Sequence, residues 1–323
     1  MYIFFKSWKF VASMLLLLTF FSSKGQKPNH FSKQLSFLTE NDFYLLQGKD
    51  GYYTNGIMFN YSTIHQSGRT SVIKQVDQFE MGQKMFTAYS RKIYHVDQID
   101  RPITGYLYLQ FLRTNFLKKN QFWQWGISAG TIGKASLGEA LQNSYHKLIH
   151  INTSVWGWVW DYQLNSAFGI DLHANYAKAL VAKHNSSIQI TPVTHFTLGS
   201  MFTNASEGVL FQLGKLNSQD KSAYWYAAVE KKPTDYQPEL FFYYYPQLMG
   251  QLYNATIQGG LFNKDKGPIV SDAEPFVFLQ QVGAMYSYNR YSLRAAVTFQ
   301  GKESRSQRFN QKYGSLQFNY RFN

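Results

Sequence analysis

From Ser315 to Phe322 the chain alternates without a break. Leu316, Phe318, Tyr320 and Phe322 fall on one side, and Ser315, Gln317, Asn319 and Arg321 on the other. A period of two is the pleat of a β-strand with one apolar and one polar face. The pattern recurs upstream. Tyr291, Leu293, Ala295, Val297 and Phe299 oppose Ser292, Arg294, Thr298 and Gln300, and Phe168, Ile170, Leu172, Ala174 and Tyr176 oppose Gly169, Asp171, His173 and Asn175. Tyr53, Ile57, Phe59 and Tyr61 oppose Thr54, Gly56, Asn60 and Ser62. Further candidates lie near 35–46, 104–115, 121–131, 186–199, 205–214, 238–246, 250–262 and 276–288. That makes about twelve strands, each near the ~10 residues that a tilted membrane-spanning strand requires.

Alternation alone fits a soluble β-sandwich or lectin as well as a barrel. Composition separates them. Aromatic residues make up 18% of the chain, with 24 Tyr and 27 Phe, yet the mean hydropathy is −0.33. Lipid-facing and lumen-facing residues average to such a value in a transmembrane barrel. The expected fold is therefore all-β, a transmembrane antiparallel β-barrel of about 12 strands, with Asp171 and Arg294 on the lumen side. Ending on an aromatic-bearing strand agrees with this, although the aromatic is penultimate.

The N-terminus has the order of a secretory signal peptide: Lys6 and Lys9, an apolar run from Val11 to Phe21, then Ser22, Ser23 and Gly25. The run is shorter than the ~20 residues of a membrane anchor. The expected division is a signal peptide over 1–25 and one barrel domain over 26–323. With no Cys, disulfides, thiolate metal sites and a lipid-modified N-terminal cysteine are excluded. The net charge of +13 falls to +10 without Lys6, Lys9 and Lys24. An exported basic protein meets anionic lipid head groups or phosphorylated glycolipids rather than nucleic acid.

Two segments break the period. Residues 65–101 are long, mixed and charged throughout. Residues 135–150 read as a short helix, because Leu137, Ala140, Leu141, Tyr145 and Leu148 recur at three- and four-residue spacing. Glu139, Gln142 and His146 form its opposite stripe. An imidazole there suits a general base, with a neighbouring carboxylate or amide to fix its tautomer; a solvated polar face is the plainer reading. A second cluster runs through Glu40, Asn41, Asp42 and Asp50 to Thr54 and Asn55. Oxygens at this density suit a hard cation such as Ca²⁺, and a turn-rich hairpin explains them equally. In regular β geometry Asn41 and Asp42 point to opposite faces, so both serve one site only if the strand is bulged or has ended. No Gly-Xaa-Ser-Xaa-Gly, His-Glu-Xaa-Xaa-His or phosphate-binding glycine loop is present.

The run ENDFYLLQGKDGYYTNG, Glu40 to Gly56, resembles the N-terminal signature of the lipid A 3′-O-deacylase (LpxR) family. Gly82-Gln83 with Phe86-Thr87, Asp100-Arg101-Pro102 and Gly105-Tyr106-Leu107 resemble its next block. GTIGKASLGEALQNSYH, Gly130 to His146, with Trp156-Gly157-Trp158, resembles the third. The resemblance spans nearly the whole mature chain. It implies a twelve-stranded outer-membrane barrel, active near the outer leaflet, that hydrolyses the ester-linked 3′ acyl chain of lipid A with Ca²⁺. Asn41, Asp42, Thr54, Gln142 and His146 match the family's active-site motifs, with His146 as the implied base and Asp42 as the charged metal ligand. Lipopolysaccharide is the implied partner and a monomer the expected state. A non-catalytic barrel, either a pore or a structural protein, is the alternative, and a secreted carbohydrate-binding β-protein the third.

Overall fold

The computed structural model describes residues 30–45, 51–65, 67–89, 93, 95–148, 160–180, 187–232 and 237–323. The expected signal peptide, and Asp50 and the Trp156–Trp158 block, lie outside them. Twelve antiparallel strands follow one another: β1 (Lys33–Asn41), β2 (Tyr53–His65), β3 (Val72–Phe86), β4 (Thr104–Leu117), β5 (Gln121–Ile132) and β6 (Ala167–Lys178). They continue as β7 (Ile188–Gly199), β8 (Phe202–Lys215), β9 (Glu239–Asn254), β10 (Phe276–Tyr288), β11 (Tyr291–Gln300) and β12 (Gln311–Phe322). Each pairs with its neighbours, and β12 pairs with β1, so the barrel closes and no edge is left.

The faces are reversed relative to a soluble protein. Leu35, Phe37, Phe59, Phe79, Leu109, Leu172 and Phe242 point outward and are exposed. Gln34, Ser36, Asn60, Ser62, Asn319 and Arg321 point inward and are buried. Soluble monomers rarely expose apolar patches beyond a few hundred Å², whereas lipid solvates such a band at no cost. Asp171 and Arg294 are on the lumen side, as expected from the alternation.

The count of twelve hides two compensating differences from the sequence reading. The stretch 65–101 contains β3, and the candidates near 238–246 and 250–262 are one long strand, β9. β3 lacks a clean period because its charges are neutralised by other strands. Asp77, on the outer face, accepts two hydrogen bonds from Arg113 of β4 at 2.7 and 2.6 Å. Glu80, on the inner face, accepts one from Tyr108 at 2.8 Å.

The lumen is filled by the chain itself. At the end holding both termini, the β8–β9 connection turns inward and buries Ala223, Tyr224, Ala227, Ala228 and Val229 against Phe116, Phe122, Phe241 and Met285. Lys74 anchors it through the carbonyl of Ala227 (2.6 Å) and Glu230 (2.7 Å). At the far end Arg101, fully buried, meets Glu303 at 3.3 Å and Thr256 at 3.1 Å and lies over the Phe86 ring. Burial holds its pKa below the usual guanidinium value, and Glu303 offsets only part of that. Asp100 beside it accepts from the Tyr52 hydroxyl (2.7 Å) and from the backbone of Tyr89 and Arg308. Between the two plugs remains a chamber of about 430 Å³. There His173 meets Ser128 and Thr197, a partnership that no sequence spacing announced.

Candidate active site

Apart from the inward-turned β8–β9 connection, the long connections cluster at the end opposite the termini, which in such barrels is the extracellular end. The candidate residues gather there, on the outside of the wall. β1 stops at Asn41 because its side-chain oxygen accepts the backbone N–H of Phe43 at 2.7 Å, an Asx turn that competes with the ladder. Asp42 then opens a single 3-10 turn, Asp42–Leu45, and is buried. Its Oδ2 accepts the N–H of Gly51 at 2.9 Å. The strand has therefore ended between the two residues, which is the condition under which Asn41 and Asp42 can share a site. Gly51 is required here: an added Cβ would lie 2.7 Å from the Tyr89 carbonyl oxygen.

β2 carries a bulge at Thr54, where Tyr53 pairs with Phe86 but Asn55 with Met85. The extra residue turns Tyr53 inward, so Tyr53 does not share the outward face of Ile57, Phe59 and Tyr61. Its hydroxyl instead donates to Glu40 at 2.7 Å. Glu40, which also accepts from Ser315 at 2.9 Å, belongs to the lumen network and is separated from Asn41 by the wall. Thr54 stays buried, with its hydroxyl 3.5 Å from the Met85 carbonyl.

The insertion after β5 supplies the roof. A 3-10 turn, Gly133–Ser136, passes through Leu137 in the left-handed region (φ 58°) into helix α1 (Gly138–Leu148). The helix lies against β3 and β4 where glycines let it approach. A Cβ on Gly105 would lie 2.2 Å from Ser136 Oγ, and one on Gly138 would lie 3.2 Å from the Gly105 Cα. Its orientation differs from the expected one. Leu137, Glu139 and Ala140 are exposed, while Gly138 and Gln142 are buried and Leu141 partly so. Glu139 therefore leaves the candidate site. Gln142 turns toward the wall because the indole of Trp160 donates to its Oε1 at 2.7 Å. That bond fixes the amide and leaves its N–H₂ as the available donor. His146 occupies the helix position one turn after Gln142, and its side chain lies outside the described residues.

Asn41, Thr54, Asn55, Met85, Leu141 and Gln142 are all on the lining of one large open cavity, which extends from α1 over the neighbouring strands. Segments about a hundred residues apart are thus joined. Trp160 and Met85 carried no signal in the sequence, since their roles depend on partners in other elements. Among the described residues no three His, Cys, Asp or Glu side chains come together as metal ligands. A cation at the rim where β1 ends would be held by the Asp42 carboxylate together with amide and hydroxyl oxygens, a donor set suited to Ca²⁺ and not to a metal preferring nitrogen or sulfur.

A closed antiparallel barrel with an apolar band facing outward and a polar, buried lumen defines a class: an outer-membrane β-barrel protein. The family model described as outer membrane protein LpxR matches residues 10–322. The chain belongs to the LpxR family, the outer-membrane lipid A deacylases. The solved structure of LpxR from Salmonella typhimurium is similar with a TM-score of 0.70 at 16% identity, covering 90% of this chain and 100% of that one. More distant likenesses include the translocator domain of the autotransporter NalP from Neisseria meningitidis (TM-score 0.42, 10% identity, 98% of each chain). No curated protein sequence matches.

Proposed function

We propose that this chain hydrolyses the ester-linked acyl chain at the 3′ position of lipid A, with His146 as general base and Ca²⁺ as cofactor. The observation that carries the reading is the groove itself. Asn41, Thr54 and Gln142, three matches to the family motifs, are on the lining of one cavity, with Asp42 next to Asn41 in the chain and the His146 position one turn beyond Gln142. A substrate whose acyl chains lie in the outer leaflet reaches such a groove by lateral diffusion.

In this reading His146 takes a proton from a water molecule, whose oxygen attacks the ester carbonyl. The bond between acyl carbon and sugar oxygen breaks, the proton passes from His146 to that oxygen, and a fatty acid leaves. Gln142, held by Trp160, offers its N–H₂ to orient the water or the imidazole. Asp42 is the charged ligand of the cation, and Asn41 and Thr54 orient groups by hydrogen bonding. Bound Ca²⁺ supplies positive charge that polarises the carbonyl and stabilises the oxyanion, an effect often worth several kcal/mol.

The test is mass spectrometry of lipid A from outer membranes of a host that makes a 3′-O-acylated form. Expression of the wild-type chain with Ca²⁺ removes one ester-linked chain, and His146→Ala leaves the spectrum unchanged. Equal loss with both chains removes His146 from the mechanism. An unchanged spectrum with the wild type refutes the enzyme. The alternative of a pore finds no support in a lumen plugged at both ends.

A further inference from the structure

Asn55 belongs to the oxygen-rich run between Glu40 and Gly56 but is not among the residues matched to the family's active-site motifs. Asn55 lies directly across the β1–β2 ladder from Asn41, and across the β2–β3 ladder from Met85. Side chains so paired on one face stand about 4.5–5.5 Å apart at Cβ, so Asn41 and Asn55 form a two-amide step at the rim where Asp42 begins its turn. Asn55 is on the outward face by alternation with Ile57 and Phe59, and the bulge at Thr54 turns Tyr53 inward beside it.

The oxygens of this step are not equivalent. Asn41 Oδ1 accepts the N–H of Phe43, and Asp42 Oδ2 accepts the N–H of Gly51. Asn55 Oδ1 is buried, and among the described residues no group donates to it. A buried amide oxygen without a donor is an acceptor whose desolvation calls for a partner such as a cation. Ca²⁺ takes about 6–8 oxygen ligands, many of them neutral carbonyls. Among the described residues no three His, Cys, Asp or Glu side chains come together, so a cation beside Asp42 would draw much of its coordination from neutral oxygens.

We propose that Asn55 Oδ1 is a neutral ligand to a divalent cation shared with Asp42. The assignment rests on the calcium reading above and deepens it. It makes Asn55 a metal ligand and not a residue of the proton relay.

The test measures binding apart from turnover. The full mature chain in detergent micelles is titrated with Ca²⁺ by calorimetry and with Tb³⁺ by luminescence, as wild type, Asn55→Ala, Asn55→Asp and Asp42→Asn. Folding of each variant is confirmed by the temperature-dependent gel mobility of an intact barrel. Asn55→Ala is expected to weaken both ions about 10- to 100-fold, the range typical for groups that shape a metal site. Asn55→Asp, which keeps an oxygen in place, is expected to bind at least as tightly as wild type. If Asp42→Asn loses the ion while both Asn55 variants bind like wild type, the inference is overturned and the calcium site stands. If the wild type binds neither ion, the calcium reading fails and the inference with it.

Discussion

Replacing Trp160 by Phe tests the claim that the roof of the groove is tuned by one hydrogen bond. Trp160 and Gln142 are both buried (5% and 7% exposed), and the indole N–H is 2.7 Å from Gln142 Oε1. Phe keeps most of the ring's apolar packing and removes the donor. A buried carbonyl left without its donor costs about 1–3 kcal/mol. Gln142 then escapes the cost by flipping or turning away, and the N–H₂ no longer points reliably into the groove. Expressed wholly in the reaction barrier, that energy is a rate loss of roughly 5- to 150-fold, at about 1.36 kcal/mol per factor of ten. The assay is the initial rate of fatty-acid release from lipid A in mixed micelles, with gel mobility as the folding check. Gln142→Glu is the companion variant: it retains an oxygen for Trp160 and loses the N–H₂, so it should fall at least as far. A Trp160→Phe protein that is folded and as fast as wild type, beside an inactive Gln142→Glu, would falsify the orienting role of the indole.

Other outcomes follow from the same structure. Gly105→Ala brings a methyl to 2.2 Å from Ser136 Oγ, overpacking worth about 1–3 kcal/mol. It should lift the 3-10 turn and α1, so that deacylation falls much more than the urea midpoint of the folded barrel. Arg101→Met leaves Glu303 and Thr256 without their buried partner; a loss of about 3–5 kcal/mol should appear as a lower urea midpoint. Lys74→Met releases the plug held through Ala227 and Glu230. Planar bilayers should show no steady conductance with the wild type and measurable leak with the variant. Chelation of Ca²⁺ by EGTA should abolish fatty-acid release and its restoration should recover it, while rates indifferent to EGTA would remove the metal from the reaction.

Much of the fold was legible because a barrel wall is a one-dimensional code. Wherever one face meets lipid and the other a polar lumen, as in β6, β11 and β12, the alternation appears in the sequence directly. It fails where a partner on another strand changes the meaning of a residue. Asp77 on the outer face of β3 is tolerable only because Arg113 sits beside it, and sequence order separates them by an entire hairpin. The break near Pro246 and Gly250 divided one strand into two candidates, although β9 runs through both residues. At the site, Asn41, Asp42 and Thr54 were legible as a cluster and Gln142 as part of a family motif. Their geometry was not. An Asx turn ends β1, a bulge reverses Tyr53, and Trp160 sets which face of α1 meets the wall. Each is decided by a bond to a distant residue. Glu40 and Glu139 were drawn into the clusters by proximity along the chain, and the wall and the helix rotation put them elsewhere.

The central claim is a hydrolysis at one ester bond, and its most direct measurement is regiochemistry in labelled water. Purified chain, Ca²⁺ and a 3′-O-acylated lipid A are incubated in H₂¹⁸O, and both products are analysed by tandem mass spectrometry. The account predicts a lipid A lacking only its 3′-O-linked chain, unlabelled at the freed hydroxyl, and a fatty acid carrying one ¹⁸O. Loss of a chain from another position, label on the sugar oxygen, or no release at all would contradict it.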